Sequence, residues 1–351
     1  MKLFNFYFLF KFCVFMEETE KFELVKKNTE EILTEDELRE LVRKKFSIYY
    51  GIAPTGPFHI GYLIPLGKLY EILSANIASG KILIADIHAA LDDLKTPWEK
   101  TKSRANYYKK CIELSFPWEN IKFVLGSSFQ KKSEYQMDVL KLSTYATVAR
   151  ATRAASEVTR MKNPKVSELI YPIMQALDEE YLDVDAQIGG IDQRHIMAFA
   201  REFLPILGYK KRVEIMTPLV CSLRGPGTKM SASIPESHIK IYESEERIKE
   251  KISKAYCPYG EIKDNPIIQI SQYIIFPVRK KLKIERDIKY GGDVEYESFE
   301  DLKKEYEEKK IHPKDLKESV SRELSDIFSK ARKYFEKNTD ILRELGQEFL
   351  P

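Results

Sequence analysis

Three polar side chains of different chemistry recur at helical spacing in the segment YPIMQALDEEYLDVD, residues 171–185. Tyr171, Gln175 and Asp178 stand at positions i, i+4 and i+7, and this spacing places all three on one face of a helix. A phenol, an amide and a carboxylate aligned in this way can hold a small polar molecule. The alternative is an ordinary solvent-exposed polar face, which the spacing alone does not exclude.

A second candidate follows the apolar run FSIYYGIA, where the chain reads PTGPFHIGY, residues 54–62. A strand that ends in such a turn and leads into a helix exposes backbone N–H groups at the carboxyl edge of a parallel sheet. A helix start attracts phosphate. His59 is therefore predicted to be a hydrogen-bond donor to an incoming anion, and the alternative is a histidine with a structural role.

The third candidate is the glycine-rich stretch RGPGTKMSAS, residues 224–233. Lys229 follows two glycines and precedes two hydroxyl side chains, Ser231 and Ser233. A lysine on a mobile loop can close over a polyphosphate as a point charge. An ordinary solvated loop is the alternative interpretation.

Alternating apolar runs and amphipathic stretches predict the elements that must position these residues. Strands are predicted at 46–53, 81–91, 121–127 and 213–220, and helices at 58–79, 98–116 and 131–162. Such alternation indicates an α/β fold with a Rossmann-like parallel sheet. Residues 17–238 are predicted to form this domain, with a helical insertion at about 110–165, and residues 239–351 a separate helical domain. Residues 17–45 are predicted to form two helices, and 222–238 a mobile loop.

Net charge, cysteine spacing and the N-terminal stretch limit the partners, metals and membrane association that the sequence predicts. The formal net charge of +3 allows a nucleic-acid partner but is too small to indicate one. No CxxC pair and no zinc-type Cys/His spacing occurs, so no structural metal is expected. Residues 1–16 begin with the apolar stretch MKLFNFYFLFKFCVF, which is too short to span a bilayer. We expect this extension to be disordered or a gene-model artefact, and the protein to be cytoplasmic with no membrane association.

Together the two phosphate candidates resemble the HIGH and KMSKS signatures of class I aminoacyl-tRNA synthetases. Tyr62 replaces the last histidine of the first signature, and Ala232 replaces the second lysine of the other. The text YPIMQALDEEYLDVDAQIGGIDQR narrows this resemblance to the tyrosyl-tRNA synthetases of the archaeal and eukaryotic cytosolic type. The resemblance runs from about residue 20 to about 335.

The resemblance implies a role for each matching residue. His59, Lys229, Ser231 and Ser233 would be catalytic, and Tyr49 and Asp178 would bind the phenolic hydroxyl of tyrosine. The other tyrosine-binding residues would be His88, Tyr171, Gln175 and Gln193. ATP would be bound by Gly51, Ala53, Thr55, Gly61, Gly189, Gly190, Asp192 and Met230. The tRNA would be contacted by Arg150, Arg153, Arg194, Tyr290, His312 and Asp315.

The implied activity is that of a tyrosine–tRNA ligase. It would use ATP with Mg²⁺ as co-substrate, L-tyrosine and tRNA(Tyr), with no tightly bound prosthetic group. The same resemblance implies a homodimer and an anticodon-binding function for residues 239–351. Two alternatives stay open at this point: a tryptophanyl-tRNA synthetase, whose indole N–H a Tyr49/Asp178 pair would also suit, and a non-catalytic RNA-binding or signalling paralogue.

Overall fold

The computed structural model describes residues 16–159, 163–232 and 234–351. The predicted N-terminal extension therefore lies almost wholly outside the described residues. The chain divides into two compact units, each built from three stretches. Unit 1 comprises residues 1–54, 68–105 and 118–218, and unit 2 comprises residues 55–67, 106–117 and 219–351.

A six-stranded sheet forms the centre of unit 1. The strands are β1 Glu31–Leu33, β2 Phe46–Ile52, β3 Ala78–Ile84, β4 Lys122–Leu125, β5 Ala186–Gly190 and β6 Val213–Thr217. Their order is β1-β6-β5-β2-β3-β4. Strands β2 to β6 are parallel and β1 pairs antiparallel with β6. The predicted α/β class with a parallel sheet is confirmed.

The position of β2 beside β5 determines where a ligand can bind in unit 1. From β2 the chain adds β3 and β4 on one side, and β5 and β6 lie on the other. Open α/β sheets bind ligands at such a switch point, beyond the carboxyl ends of the strands. Tyr49 on β2, Gln187 on β5 and Glu214 on β6 are in register, so the three side chains share one face of the sheet.

Amphipathic helices cover this sheet because each buries an apolar stripe. The helix that begins at Glu35 starts with a capping box formed by Thr34 and Glu37, as the sequence TEDE predicts. Within the described residues, the first nine helices are α1 Glu18–Lys26, α2 Glu35–Leu41, α3 Leu63–Ser74, α4 Asp86–Leu91, α5 Thr101–Ser115, α6 Ser133–Ser143, α7 Val148–Thr159, α8 Val166–Tyr181 and α9 Arg194–Phe203.

The core of unit 1 includes side chains of α8 together with Tyr49 and Leu83 of the sheet. Phe129 and Tyr135 belong to the same cluster, as do Ile196 and Phe199 of α9. Leu177 and Ala176 on α8 are fully buried. Helix α8 is therefore held rigidly, and its polar residues are held with it.

Unit 2 is mainly helical. Its hairpins are β7 Cys221–Ser222 with β8 Gly225–Lys229, and β9 Leu282–Ile284 with β10 Val294–Tyr296. Its helices are α10 Glu245–Lys254, α11 Pro266–Ile270, α12 Phe276–Arg279, α13 Phe299–Glu307, α14 Pro313–Ile327, α15 Ser329–Lys337 and α16 Thr339–Leu345. The apolar side chains Leu316, Val320 and Leu324 of α14 are buried, as the periodicity of that segment predicts.

Several predicted element boundaries were wrong. The helix expected over 58–79 is a 3₁₀ turn, Ile60–Tyr62, followed by α3, and β3 already begins at Ala78. The strand expected over 81–91 ends at Ile84 because Asp86 begins α4. An apolar run does not by itself distinguish a buried strand from a buried helix. Strand β1 was not expected, since EIL is too short for a visible alternation.

The expected loop over 222–238 contains the hairpin β7–β8. Gly225 and Gly227 both have positive φ, of 101° and 88°, so the glycines form the hairpin rather than a structureless loop. The contact-based division of the chain falls between Pro218 and Leu219. The boundary predicted at 238/239 was drawn where the sequence changes to charged amphipathic helices, and it stays a prediction. Among the described residues, no helix is both long and apolar enough to cross a bilayer.

Candidate functional site

Asp178 is the centre of a buried polar cluster in unit 1. Its side chain is 1% exposed. The oxygen Oδ1 accepts a hydrogen bond of 2.8 Å from Nε2 of Gln130. The hydroxyl of Tyr135 lies 2.8 Å from the same oxygen and 2.8 Å from the Met174 carbonyl. Burial raises the pKa of Asp178 to about 8, although both hydrogen bonds act to lower it.

The second oxygen of Asp178 makes no hydrogen bond within the described part of the chain. The hydroxyl of Tyr49 is likewise buried and makes none there. Burial and the charges of Glu179 and Asp178 raise the pKa of Tyr49 well above its ordinary value, so the phenol stays neutral. Two buried polar atoms without a protein partner are costly, at about 1–3 kcal/mol each. Their presence indicates a site prepared for a polar ligand.

His88 extends this cluster from helix α4. Its Nδ1 lies 3.3 Å from Nε2 of Gln130, the amide nitrogen that also donates to Asp178. Because that nitrogen is a donor, Nδ1 accepts, and the proton of the neutral ring is on Nε2. This Nε2 lies 3.7 Å from Oδ2 of Asp178, which is too long for a hydrogen bond. Burial lowers the pKa of His88 to about 4.

The remaining predicted tyrosine-binding residues also lie in unit 1. The ring of Tyr171 packs edge-on against His88, with centroids 4.6 Å apart. On the same face of α8, Gln175 donates to Oε1 of Gln193 at 3.2 Å. The helical spacing of Tyr171, Gln175 and Asp178 thus places them as the sequence predicted. Gln193 itself lies in the 3₁₀ turn Ile191–Gln193, directly after β5.

The carboxyl ends of β2 and β5 carry the predicted ATP-binding residues of unit 1. Gly51 is the penultimate residue of β2, and Ala53 follows that strand. Gly189 and Gly190 end β5, and Asp192 stands in the following 3₁₀ turn. A Cβ atom at Gly189 would approach Met197 Cε to 2.8 Å, so glycine keeps this turn closely packed.

In unit 2, His59 has a structural contact in addition to any chemical role. Its Nδ1 accepts a hydrogen bond of 3.1 Å from the Gly61 N–H and thereby caps the 3₁₀ turn. Only Nε2–H is then left as a donor. The ring is 5% exposed and stacks on Tyr62, with centroids 4.3 Å apart. Burial lowers the pKa of His59 well below its ordinary value, so the ring is neutral at pH 7.

The two signature segments meet within unit 2. A Cβ atom at Gly56 would lie 2.8 Å from Cβ of Ala232, and one at Gly61 would lie 3.7 Å from Cβ of Met230. Residues 230–232 therefore pack against the 56–61 turn, although 170 residues of sequence separate His59 from Lys229. The backbone of Lys229 pairs with Cys221 in the hairpin. The side chain of Lys229 and the whole of Ser233 lie outside what the structure describes. Thr55 precedes this turn.

The predicted tRNA-contacting residues fall into two groups. In unit 1, Arg150 and Arg153 lie on α7, and Arg150 pairs with Glu202. Arg194 makes a bidentate ion pair with Glu31, at 2.6 and 2.8 Å. An RNA phosphate would have to displace that carboxylate.

In unit 2, Tyr290 is 65% exposed. His312 caps the start of α14 by accepting from the Lys314 N–H at 3.2 Å, and Asp315 stands in its first turn. The exposed ring of Tyr290 suits stacking on an unpaired base.

Gln130 and Tyr135 were missed from the sequence, yet they hold Asp178. They stand 48 and 43 residues before it. Gln130 lies between a 3₁₀ turn and α6, Tyr135 lies in the first turn of α6, and neither belongs to a motif. The only available signal was a glutamine directly after the aromatic Phe129 in a segment following a predicted strand. That signal is too weak to single them out.

Comparisons with known proteins agree with this geometry. A family model described as tRNA synthetases class I (W and Y) matches residues 41–329. The cytoplasmic tyrosine–tRNA ligase of Xenopus tropicalis is 39% identical over 338 residues, covering 94% of this chain and 63% of that protein. The tyrosine–tRNA ligase of Archaeoglobus fulgidus is 43% identical over 322 residues, covering 91% of this chain and 98% of that protein.

The fold comparison gives the same result. The crystal structure of the tyrosyl-tRNA synthetase of Archaeoglobus fulgidus, complexed with L-tyrosine, superposes with a TM-score of 0.86 at 42% identity. It covers 90% of this chain and 99% of that one. The chain spans less than two thirds of the length of the vertebrate relatives, 61–63%.

Proposed function

This chain belongs to the class I tRNA synthetases of the tryptophan and tyrosine type, within the tyrosine–tRNA ligase family, and on that premise we propose that it attaches tyrosine to tRNA(Tyr). It activates L-tyrosine with ATP, releases pyrophosphate, and transfers the tyrosyl group to the 3′-terminal adenosine. The observation that carries this proposal is the pair of buried polar atoms, Tyr49 Oη and Asp178 Oδ2, that hydrogen-bond to no described group.

Those two atoms suit a phenolic hydroxyl. The phenolic hydroxyl can donate to an oxygen of the Asp178 carboxyl group and accept from Tyr49. Phenylalanine would leave both groups buried and unmatched, which is the general reason that tyrosine enzymes reject it by about 10⁴-fold or more. That magnitude is typical of such enzymes and does not come from the present geometry. Tyr171, Gln175 and Gln193 are the proposed partners of the amino group, and His88 lines the pocket.

The first chemical step needs no side-chain base, because the tyrosine carboxylate is already ionised at pH 7. One carboxylate oxygen bonds to the α-phosphorus, and the bond from that phosphorus to pyrophosphate breaks. Catalysis is then mainly positioning and charge stabilisation. The groups proposed to face the triphosphate are the Nε2–H of His59 and the side chains of Lys229, Ser231 and Ser233. The proposed ATP-binding residues are Gly51, Ala53, Thr55, Gly61, Gly189, Gly190, Asp192 and Met230.

In the second step, the ribose hydroxyl of the terminal adenosine attacks the tyrosyl carbonyl and AMP leaves. The proposed contacts to the anticodon are Tyr290, His312 and Asp315. The proposed contacts to the acceptor end are Arg150, Arg153 and Arg194. Mg²⁺ is proposed to enter with ATP as part of the substrate. The cytoplasmic names of several relatives support a cytoplasmic location.

A homodimer is proposed through the helical region at about 110–165. Several apolar side chains there are exposed in this single chain. They are Met137 (52%), Leu140 (61%), Tyr145 (55%), Val148 (70%) and Val166 (71%). Exposed apolar side chains clustered along one region are typical of a protein interface, and a second copy of this chain is the proposed occupant.

The test is ATP–pyrophosphate exchange with the purified chain. We expect exchange that depends on tyrosine, negligible exchange with phenylalanine or tryptophan, and charging of a tRNA(Tyr) transcript. Exchange that depends on tryptophan instead would reassign the substrate. The absence of any amino-acid-dependent exchange would favour a non-catalytic RNA-binding protein.

A further inference from the structure

His238 joins the two signature segments inside unit 2, and no role has so far been given to it. Its Nδ1 lies 2.9 Å from the Ser231 carbonyl and 3.1 Å from the Ile234 carbonyl. Its ring also packs on the His59 ring, with centroids 4.9 Å apart. One buried side chain thus contacts both the loop that follows Lys229 and the histidine of the other signature.

The partners of His238 fix its tautomer. Carbonyl oxygens only accept, so Nδ1 carries the proton and donates to the loop. Burial lowers the pKa of His238 to about 4, and the ring is neutral at pH 7. Its Nε2 is buried and has no hydrogen-bond partner among the described residues. The ring therefore holds the loop through one atom, Nδ1, and contacts His59 through its face.

Backbone contacts next to His238 also fix its position. Lys251 donates to the His238 carbonyl at 2.8 Å and forms a buried ion pair with Glu243. One residue further on, the Ile239 carbonyl accepts from the Ile60 N–H at 2.9 Å, and Lys240 forms a β-bridge with His59. The ring is thus attached to the His59 turn through the backbone as well as through its face.

We propose that His238 is a positioning residue that holds Ser231 and Ile234 of the second signature segment beside the His59 turn, and so sets where Lys229 stands during ATP activation. This inference rests on the proposed function. Ser237 assists, since its hydroxyl accepts from the Ser231 N–H at 3.1 Å. Among the described ring contacts, the His59 ring packs on Tyr62 and on His238, so His238 couples the two segments through its side chain.

Single-turnover kinetics of adenylate formation tests this role. We expect His238→Ala to slow adenylate formation by about tenfold, the effect of losing a hydrogen-bonded contact, while the Kd for tyrosine stays unchanged. His238→Asn should restore most of the rate, because its amide N–H can donate to the same carbonyls. The matched control is Asn338→Ala, which also removes a side-chain donor to a carbonyl, that of Tyr334 at 2.8 Å, and should leave the rate unchanged.

A double-mutant cycle with Lys229→Ala separates positioning from general destabilisation. If His238 acts through the lysine loop, His238→Ala should change the rate less than about twofold in the Lys229→Ala background. The same tenfold loss in both backgrounds, or an equal loss in tyrosine affinity, would overturn the inference. So would a wild-type rate for His238→Ala.

Hydrogen exchange gives a readout that does not depend on activity. The Ser231 N–H and its neighbours should exchange faster in His238→Ala than in the wild type and in Asn338→Ala. Unchanged exchange would show that His238 does not hold the loop. If the wild-type chain shows no tyrosine-dependent exchange of pyrophosphate, the proposed function fails, and the hydrogen-exchange result still decides whether His238 holds the loop.

Discussion

At the scale of single residues, the Asp178 carboxyl carries two opposing demands. Gln130 and Tyr135 bond one oxygen and favour the charged form, whereas complete burial disfavours it. Burial dominates, and the pKa rises to about 8. The buried carboxyl group thus keeps its proton in the folded chain at neutral pH, where the unfolded chain releases it, and this difference reduces the stability of the folded chain.

The dependence of stability on pH follows from this raised pKa. The unfolded chain releases the Asp178 proton near pH 4, while the folded chain keeps it until about pH 8. The free energy of unfolding therefore falls as the pH rises from about 4 to about 8. Asp178→Asn removes this contribution, so the free energy of unfolding of the variant should rise relative to that of the wild type by about 4 kcal/mol between pH 5 and pH 8. Urea unfolding at both pH values measures it, and parallel profiles would contradict it.

Substrate discrimination should depend on the same carboxyl. Asp178→Ala removes one of the two groups proposed to bond the phenolic hydroxyl, so the ratio of kcat/KM for tyrosine over phenylalanine should fall by about 100-fold or more. Amino-acid-dependent pyrophosphate exchange with each substrate gives the ratio. Ser253→Ala, on the exposed part of α10, serves as the control. Unchanged discrimination in Asp178→Ala would show that the pocket is assigned wrongly.

The sequence was sufficient to predict the helical face that carries Asp178 but not the residues that hydrogen-bond to this side chain. Three polar residues at i, i+4 and i+7 specify one helical face whatever the rest of the chain does, and the structure has Tyr171, Gln175 and Asp178 on that face. Gln130 reaches the same place only through the packing of another helix and the sheet. Such long-range contacts leave no local periodicity. The cap made by His59 Nδ1 was equally invisible, because a histidine imidazole can donate or accept.

At the scale of elements, the segment 238–242 connects the His59 turn to the last residues of the chain. The Tyr242 hydroxyl donates to the Phe349 carbonyl at 2.9 Å and lies 2.8 Å from the Tyr107 hydroxyl. The Tyr107 hydroxyl in turn accepts from the Phe58 N–H at 2.9 Å. Lys240 donates to the Glu348 and Leu350 carbonyls. Residues 348–350 therefore support the turn that carries His59.

The Tyr242 hydroxyl lies at the centre of this hydrogen-bond network, and removing it should destabilise unit 2. Tyr242→Phe leaves the buried Phe349 carbonyl without its donor, and we expect a loss of about 1–2 kcal/mol in the free energy of unfolding. Tyr107→Phe should cost a similar amount, and the double variant less than the sum, because the two hydroxyls share one bond. Tyr259→Phe removes an exposed hydroxyl that bonds the Lys309 carbonyl and should cost less than about 0.5 kcal/mol. Additive losses in the double variant would argue against a shared network.

Element prediction succeeded where periodicity is long and failed where elements are short. Helices α8 and α14 run for 16 and 15 residues, long enough for an apolar stripe to be unambiguous. The hairpin β7–β8 has a strand of two residues, and its pairing is set by glycines that sequence reasoning assigned to a loop. Short pairings depend on tertiary context more than on local composition.

At the scale of the whole molecule, a strip of apolar side chains on unit 1 remains exposed. Met137 and Leu140 are three residues apart on α6, so they point to the same side. Burying such side chains in an interface contributes a favourable transfer term of about 25 cal/mol per Å² of apolar area, against which the loss of freedom on association counts. Exposure in a single chain is therefore consistent with the proposed second copy.

Charge placed on this strip should separate the copies. Leu140→Glu combined with Met137→Glu should convert a dimer to a monomer in sedimentation velocity, because two like charges per chain would face each other across a two-fold interface. Tyrosine binding to each chain should persist, since neither residue contacts Asp178 or Tyr49 in the described network. Trp98→Glu, an exposed apolar residue outside 110–165, is the control. A wild-type chain that sediments as a monomer would overturn the homodimer.

Strand β1 has a consequence for how this chain behaves when it is partly unfolded. Its three residues pair with Glu214–Met216 on β6 and so occupy the hydrogen-bonding groups on one edge of the sheet. If residues 30–34 detached, five buried residues of β6 would present an open row of amides and carbonyls to other molecules. A bare border of this kind is a template for intermolecular β-pairing. Detachment of β1 would thus promote aggregation before the core of unit 1 unfolds.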